Sequence, residues 1–160
     1  LPGTHSKWIW MEEEYISRFS TFMTGELFTA ITKHTILGRL MTEEQNPESF
    51  HLGVQEGFST SPGSGGILSQ LFSARAKPIL DLMSPSAIKD YISGLLLGTE
   101  IKEAVSIGFQ SGLQPLICGS SNLANLYHSA LRICGFNPTV AEADTASTGL
   151  LRIAGEAELI

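Results

Sequence analysis

The segment Pro115-Leu116-Ile117-Cys118-Gly119-Ser120-Ser121-Asn122-Leu123-Ala124-Asn125-Leu126-Tyr127 decides the fold class. A short apolar run, a glycine-serine bend and an amphipathic stretch follow one another, which predicts strand, turn and helix in that order. Leu123, Leu126, Ala130, Leu131 and Cys134 share one helical face, and Asn122, Asn125, Ser129 and Arg132 share the other. Thr139 to Ala141 supplies a second short strand, and a helix opening at Asp144-Thr145 with Gly149 inside it closes the chain. This alternation at the C-terminal end predicts an α/β layer, a mixed sheet with flanking helices.

Upstream, Trp8 to Met11 and Tyr15 to Phe22 alternate apolar and polar residues around the acidic turn Glu12-Glu13-Glu14, the pattern of a β-hairpin. Leu27, Phe28, Ile31 and His34 recur at helical spacing behind Thr24-Gly25-Glu26, so a helix is expected to run toward Gly38. Pro47 to Gly57 reads as a short helix with Phe50, Val54 and Phe58 on one side. Ser59 to Gly66 is a loop by composition, and Ile67 to Ala76 is a helix carrying Arg75. Ser84-Pro85 pairs an N-cap residue with proline at the first helical position. The long helix behind it carries a broad stripe from Ile88 to Val105, and Gly94 and Gly98, one turn apart, predict tight packing against another element.

The chain has 160 residues, 42% of them hydrophobic, with 10 basic and 16 acidic side chains for a net charge of −6. One domain fits that length, with a core that needs no disulfide or structural metal. An acidic chain without a Lys/Arg cluster argues against nucleic acid as a partner. No apolar run approaches the roughly 20 residues of a bilayer span, so a soluble protein without a membrane partner is expected. Cys118 and Cys134 lie in apolar patterns rather than in a ligand spacing, which suits buried thiols in the cytoplasm. The opening Leu1-Pro2-Gly3-Thr4 looks like the end of a strand entering a turn, and the chain is therefore expected to be a fragment.

Two bends carry the chemistry. In Gly3-Thr4-His5-Ser6-Lys7 the glycine admits a close anion, the hydroxyls donate hydrogen bonds and Lys7 offsets negative charge. The same residues also suit an ordinary turn. Gly119-Ser120-Ser121-Asn122 stands at a strand-to-helix junction, where open α/β sheets receive ligands and a helix N-terminus favours anionic groups. A plain N-cap by Ser120 or Ser121 is the alternative. Neither GxGxxG nor GxxxxGK[ST] occurs, HExxH is absent, and Ser64 lies in no GxSxG elbow.

The segments PGTHSKW (2–8), TFMTGEL (21–27), HTILGRLM (34–41), LFSARA (71–76), DYISGLLLGTE (90–100), LICGSSNLANLYHSAL (116–131) and DTASTGLLRIA (144–154) come in one order. Together they resemble the 2-dehydro-3-deoxygalactonokinase family over nearly the whole chain. The resemblance implies a two-lobed kinase with a ribonuclease-H-like core in each lobe, of the actin and sugar-kinase ATPase superfamily. It implies ATP and Mg²⁺ in the cleft and γ-phosphate transfer to the 6-hydroxyl of 2-dehydro-3-deoxy-D-galactonate. Residues 1–160 would be the C-terminal nucleotide-binding lobe, with the N-terminal lobe absent.

By the same resemblance, Gly3, Thr4, His5 and Lys7 match a phosphate-contacting hairpin, and Gly119, Ser120 and Asn122 match an adenosine-contacting junction. The helix start from Asp144 to Gly149 matches the superfamily's second connecting element. The superfamily often has a double glycine where this chain has Gly119-Ser120. The family's Asp-Trp-Gly strand and Arg-Gly-Glu-Glu segment do not occur here, so the catalytic base is expected elsewhere and the fragment alone inactive. Asp144 and Glu26 are not assigned as that base. The competing expectation is an ATPase-like binding or assembly module that meets a partner, or a second copy in a homo-oligomer, through Ile67–Ala76 and Ile88–Val105.

Overall fold

Pairing of Ser6–Glu12 (β1) with Tyr15–Phe22 (β2) forms an antiparallel hairpin in the computed structural model, which describes residues 1–61, 63, 65–109, 112–142 and 144–159. The turn is shorter than the three glutamates suggest, because Glu12 pairs with Tyr15 and Glu13 takes a left-handed φ of 54°. One face of β1 is half-covered at Trp8 and Trp10, whereas Tyr15, Ile16 and Phe19 on β2 stay exposed.

Thr24–His34 (α1) stops short of Gly38 because Thr35 is extended, its hydroxyl donating to Ile31 O and accepting from Leu37 N. A 3₁₀ turn, Ile36–Leu40, follows. Pro47–Phe58 (α2) is capped by the Asn46 side chain, which accepts from Ser49 N at 3.0 Å. Gly66–Ile79 (α3) runs one residue beyond Pro78, and Ile88–Ser106 (α4) follows a short 3₁₀ turn over Pro85–Ala87. Ser84 caps that turn by position only, its hydroxyl pairing with Ser86 instead of a helix amide. Ser64 lies outside the described residues.

Helix α4 is the axis of the molecule. Its apolar positions are buried nearly all round, from Ile88 through Tyr91, Ile92 and Leu95 to Ile101 and Ala104. One side joins Phe50, Val54, Phe109, Tyr127 and Leu131 in a core cluster, and the other joins Ile31, Leu37, Leu71 and Ala74. The stripe read as a possible partner face is therefore internal, since Tyr91, Ile92 and Leu95 are fully covered.

Gly94 and Gly98 are explained by α2, which brings glycines of its own. A methyl group on Gly94 would lie 2.2 Å from Phe50 O, and one on Gly98 would lie 2.2 Å from Val54 O. Gly53 and Gly57 meet Tyr91 O and Leu95 O in the same way, at 2.2 and 2.4 Å. The two helices thus cross backbone against backbone, as small residues at four-residue spacing permit.

Leu116–Ile117 (β3), Ser121–Ile133 (α5) and Thr139–Val140 (β4) form a strand–helix–strand unit with its strands parallel. The expected α/β layer with flanking helices is present in part, with a correction to its mixed sheet: among the described residues the strands form two separate small pairs, one antiparallel and one parallel. Two-residue strands such as β3 and β4 offer too few backbone groups to extend a ladder. Thr145–Glu156 (α6) covers no sheet, and none of its residues is buried. Among the described residues no helix is long and apolar enough to cross a membrane.

Candidate functional site

The first bend is closed by its own backbone. Lys7 N–H donates to Leu1 O at 3.0 Å and Leu1 N donates to Lys7 O at 2.7 Å, which loops Pro2 to Ser6 between them, with Thr4 and His5 exposed and Ser6 turned into the core. Helix α1 buttresses this bend from beneath. Glu26 N–H donates to Thr4 O at 3.0 Å, and a methyl on Gly25 would lie 2.7 Å from Gly3 O and 2.9 Å from Thr4 Cα. Gly25 is thus required by close approach, which links MTGEL to PGTHSKW in physical terms. The His5 Nε2 atom contacts Glu26 Oε2, and Lys7 Nζ donates to His5 O at 2.9 Å.

The second bend begins where β3 ends. Ser120 occupies the N-cap position of α5 in extended conformation, but its side chain makes no cap hydrogen bond. The first intrahelical bond runs from Ala124 N–H to Ser120 O at 2.8 Å, so the amides of Ser121, Asn122 and Leu123 lie before the ladder. Asn122, Asn125, Ser129 and Arg132 are all exposed, as the helical pattern predicts.

These bends, distant in sequence, are neighbours in space. A methyl on Gly119 would lie 3.3 Å from Pro2 Cδ and 3.5 Å from Pro2 O. Gly3 is half-buried, while Thr4, His5, Lys7, Gly119, Ser120 and Asn122 are open to solvent. The arrangement places hydroxyl, amide and ammonium donors around one edge of the molecule, where they can meet a polar or anionic ligand. Asp144 stands at the N-cap position of α6 without a side-chain cap bond.

Beneath the bends lies a residue that the sequence did not single out. Glu100 is 3% exposed, and its carboxylate accepts from Ser6 Oγ at 2.8 Å, Trp8 Nε1 at 2.7 Å and Tyr127 OH at 2.9 Å. Burial first, and then the Glu100 carboxylate, hold the Tyr127 phenol far above its ordinary range. The available signal was one charge inside the apolar run Leu95-Leu96-Leu97-Gly98-Thr99-Glu100-Ile101.

A second polar cluster lies between α2, α3 and α4. Lys77 Nζ donates to Glu56 Oε1 at 2.7 Å and to Tyr91 OH at 2.8 Å, and Tyr91 OH donates to Glu56 Oε2. Burial works against the Lys77 charge, but its bonds to Glu56 and Tyr91 outweigh that and raise its pKa. A nearby depression of about 440 Å³, lined by Leu52, Gln55, Glu56, Phe58, Ser59 and Cys134 among others, includes none of the residues of the two bends. Among the described residues no group of three or more His, Cys, Asp or Glu converges to hold a metal ion.

A family model described as 2-keto-3-deoxy-galactonokinase matches residues 1–153. A Rhizobium meliloti relative named as a 2-dehydro-3-deoxygalactonokinase is 34% identical over 160 residues, covering 98% of this chain and 51% of its own length. The 2-dehydro-3-deoxygalactonokinase of Escherichia coli K12 is 32% identical over 147 residues, covering 91% of this chain and 49% of its own length. A crystal structure from Sinorhizobium meliloti, titled as a protein of the same kind, superposes with a TM-score of 0.83 at 34% identity, covering 98% of this chain and 52% of that one. The chain thus spans about half the length of the relatives it matches.

Proposed function

Since the chain belongs to the 2-keto-3-deoxy-galactonokinase family, we propose that it is the C-terminal, nucleotide-binding lobe of a two-lobed sugar-acid kinase with the ribonuclease-H-like architecture. The observation that carries this reading is the contact of Gly119 with Pro2, which sets the two donor-bearing bends side by side. In this reading Gly3, Thr4, His5 and Lys7 hold the ATP phosphates, and Gly119, Ser120 and Asn122 hold the adenosine. A triphosphate is recognised by amides, hydroxyls and a lysine together, each contact to an ionised oxygen adding about 1.5–3 kcal/mol.

The accepting substrate is 2-dehydro-3-deoxy-D-galactonate, phosphorylated at its 6-hydroxyl. Among the described residues no carboxylate cage for Mg²⁺ forms, so no step is assigned to a metal site of this chain; the ion would travel on the nucleotide's own phosphate oxygens. Phosphoryl transfer needs a positioned hydroxyl and an orienting base together with the phosphate clamp. This chain supplies the clamp and assigns no base, so alone it is inactive.

The test is phosphate transfer followed by phosphorus NMR, with ATP and a panel of 2-keto-3-deoxy sugar acids. The expected result is no turnover by this chain alone, and a 6-phosphate of the galactonate-derived acid once it is joined to the N-terminal half of a family member. Transfer to none of the panel by the joined protein would refute the substrate assignment.

A second reading draws on a different observation. Leu68 and Phe72 on α3 and Leu150, Leu151 and Ile153 on α6 are largely exposed, as an ATPase-like assembly module meeting another chain or a second copy would require. Self-association by light scattering, without nucleotide affinity, would favour it.

A further inference from the structure

We propose that Glu100 is a positioning residue that ties the two bends into one nucleotide site, because its single buried carboxylate is held by Ser6 and Trp8 on one side and by Tyr127 on the other. The inference rests on the nucleotide reading above and names the part that makes the two half-sites act together.

The geometry is specific. Ser6 ends the first bend and Trp8 continues it into β1, and both donate to Glu100 Oε1. Tyr127 lies two turns into α5, the helix that opens at the second bend, and its hydroxyl bonds Oε2 at 2.9 Å and Oε1 at 3.2 Å. Ser6 and Glu100 are the buried polar residues of the described core, at 1% and 3% exposure. Among the described residues no Lys, Arg or His pairs with Glu100.

The Leu1 amino group acts on Glu100 through its charge but, among the described residues, no side-chain cation pairs with it; such a buried carboxylate is costly to hold, and apolar residues of similar volume serve a core equally well or better. What the carboxylate adds is direction. Its two oxygens fix the orientation of three donors on two elements that have no backbone ladder between them. A ligand that spans both bends gains from that fixed spacing, whereas a ligand that touches one bend does not.

This separates positioning from mere stability. Tyr127→Phe keeps the ring in place and removes the hydroxyl that joins α5 to Glu100. Calorimetric titration should then show ADP binding weakened about five- to tenfold, while adenosine and inorganic triphosphate, each reaching one bend, change less than about twofold. Ser6→Ala combined with Trp8→Phe removes both first-bend donors, cuts the tie from the other side and should give the same pattern. In the ligand-free protein, hydrogen exchange should quicken in Tyr127→Phe at the amides of Lys7 and Ala124, which bond Leu1 O and Ser120 O.

Equal losses for all three ligands, or ADP affinity unchanged in both variants, would overturn the inference. Wild-type protein that binds no ADP would refute the nucleotide reading and with it the proposed role in nucleotide binding. Exchange quickening at both bends would then still identify Glu100 as the tie between them, so the two failures are distinguishable.

Discussion

Replacing Gly94 by alanine tests the helix crossing on which every other placement depends. In an exposed helix the change stabilises by roughly 0.5–1 kcal/mol, because glycine pays more backbone entropy than alanine. Here the new methyl would lie 2.2 Å from Phe50 O and 2.8 Å from Val54 N, both backbone atoms of α2. Ordinary contact requires the helices to part by roughly 1 Å, and no rotamer can relieve a clash with main chain. Overpacking at the upper end of its usual range, about 3 kcal/mol, therefore outweighs the propensity gain. The expected net loss is about 2 kcal/mol, or roughly 4–8 °C in Tm for a chain of this size.

Gly149→Ala in α6 is the control, since nothing lies within 4 Å of its would-be methyl; it should gain up to about 1 kcal/mol. Adding Gly53→Ala to Gly94→Ala should cost less than the sum of the single losses, because one separation of the helices relieves both clashes. Thermal and urea unfolding followed by circular dichroism measure wild type, the three single variants and the double variant. Gly94→Ala as stable as wild type, or gaining as much as Gly149→Ala, would refute the backbone-on-backbone crossing.

Other outcomes follow from single residues. Lys7→Ala removes an exposed ammonium that donates to His5 O, so ADP binding should weaken about tenfold or more while stability changes by less than about 0.5 kcal/mol; unchanged affinity removes Lys7 from the site. Burial pushes the Cys134 thiol up to about 12, so at pH 8 only about one in ten thousand is thiolate, and native protein should alkylate there far more slowly than urea-unfolded protein. Equal rates would contradict its burial. Cys134, Tyr91 and Tyr127 all hold raised pKa values from burial, so each keeps its proton in the folded state after the unfolded chain has lost it. Their contribution is full below about pH 8.5 and is lost as pH rises, by about 1.4 kcal/mol per pH unit for each group in its window. Tyr127→Phe should flatten that alkaline slope above pH 10, and an unchanged slope would contradict the assignment.

Local signals made the hairpin legible, because Trp8, Trp10, Tyr15 and Phe19 alternate with polar residues around a charged turn. The helices were legible from periodicity, and α5 in particular showed its exposed face in Asn122, Asn125, Ser129 and Arg132. What failed was tertiary. Gly94 and Gly98 announced a close approach, but nothing in the sequence says that Gly53 and Gly57 receive them. The burial of α4 on all sides depends on two separate clusters, which one hydrophobic stripe cannot reveal. Strand and helix alternation predicts a mixed sheet with flanking helices; the helices flank small sheets, and the two-residue β3 and β4 pair with each other apart from the hairpin. Glu100 is not legible in the sequence, because a lone charge on a helix usually marks the solvent face and its three donors come from β1 and α5.

Amide resonances of this chain during titration with ADP test the shared nucleotide site most directly. Joint movement of Thr4, Lys7, Gly119 and Asn122, saturating with a single affinity, is the predicted result. Shifts confined to one bend, or gathered instead around Glu56 and Cys134, would contradict it.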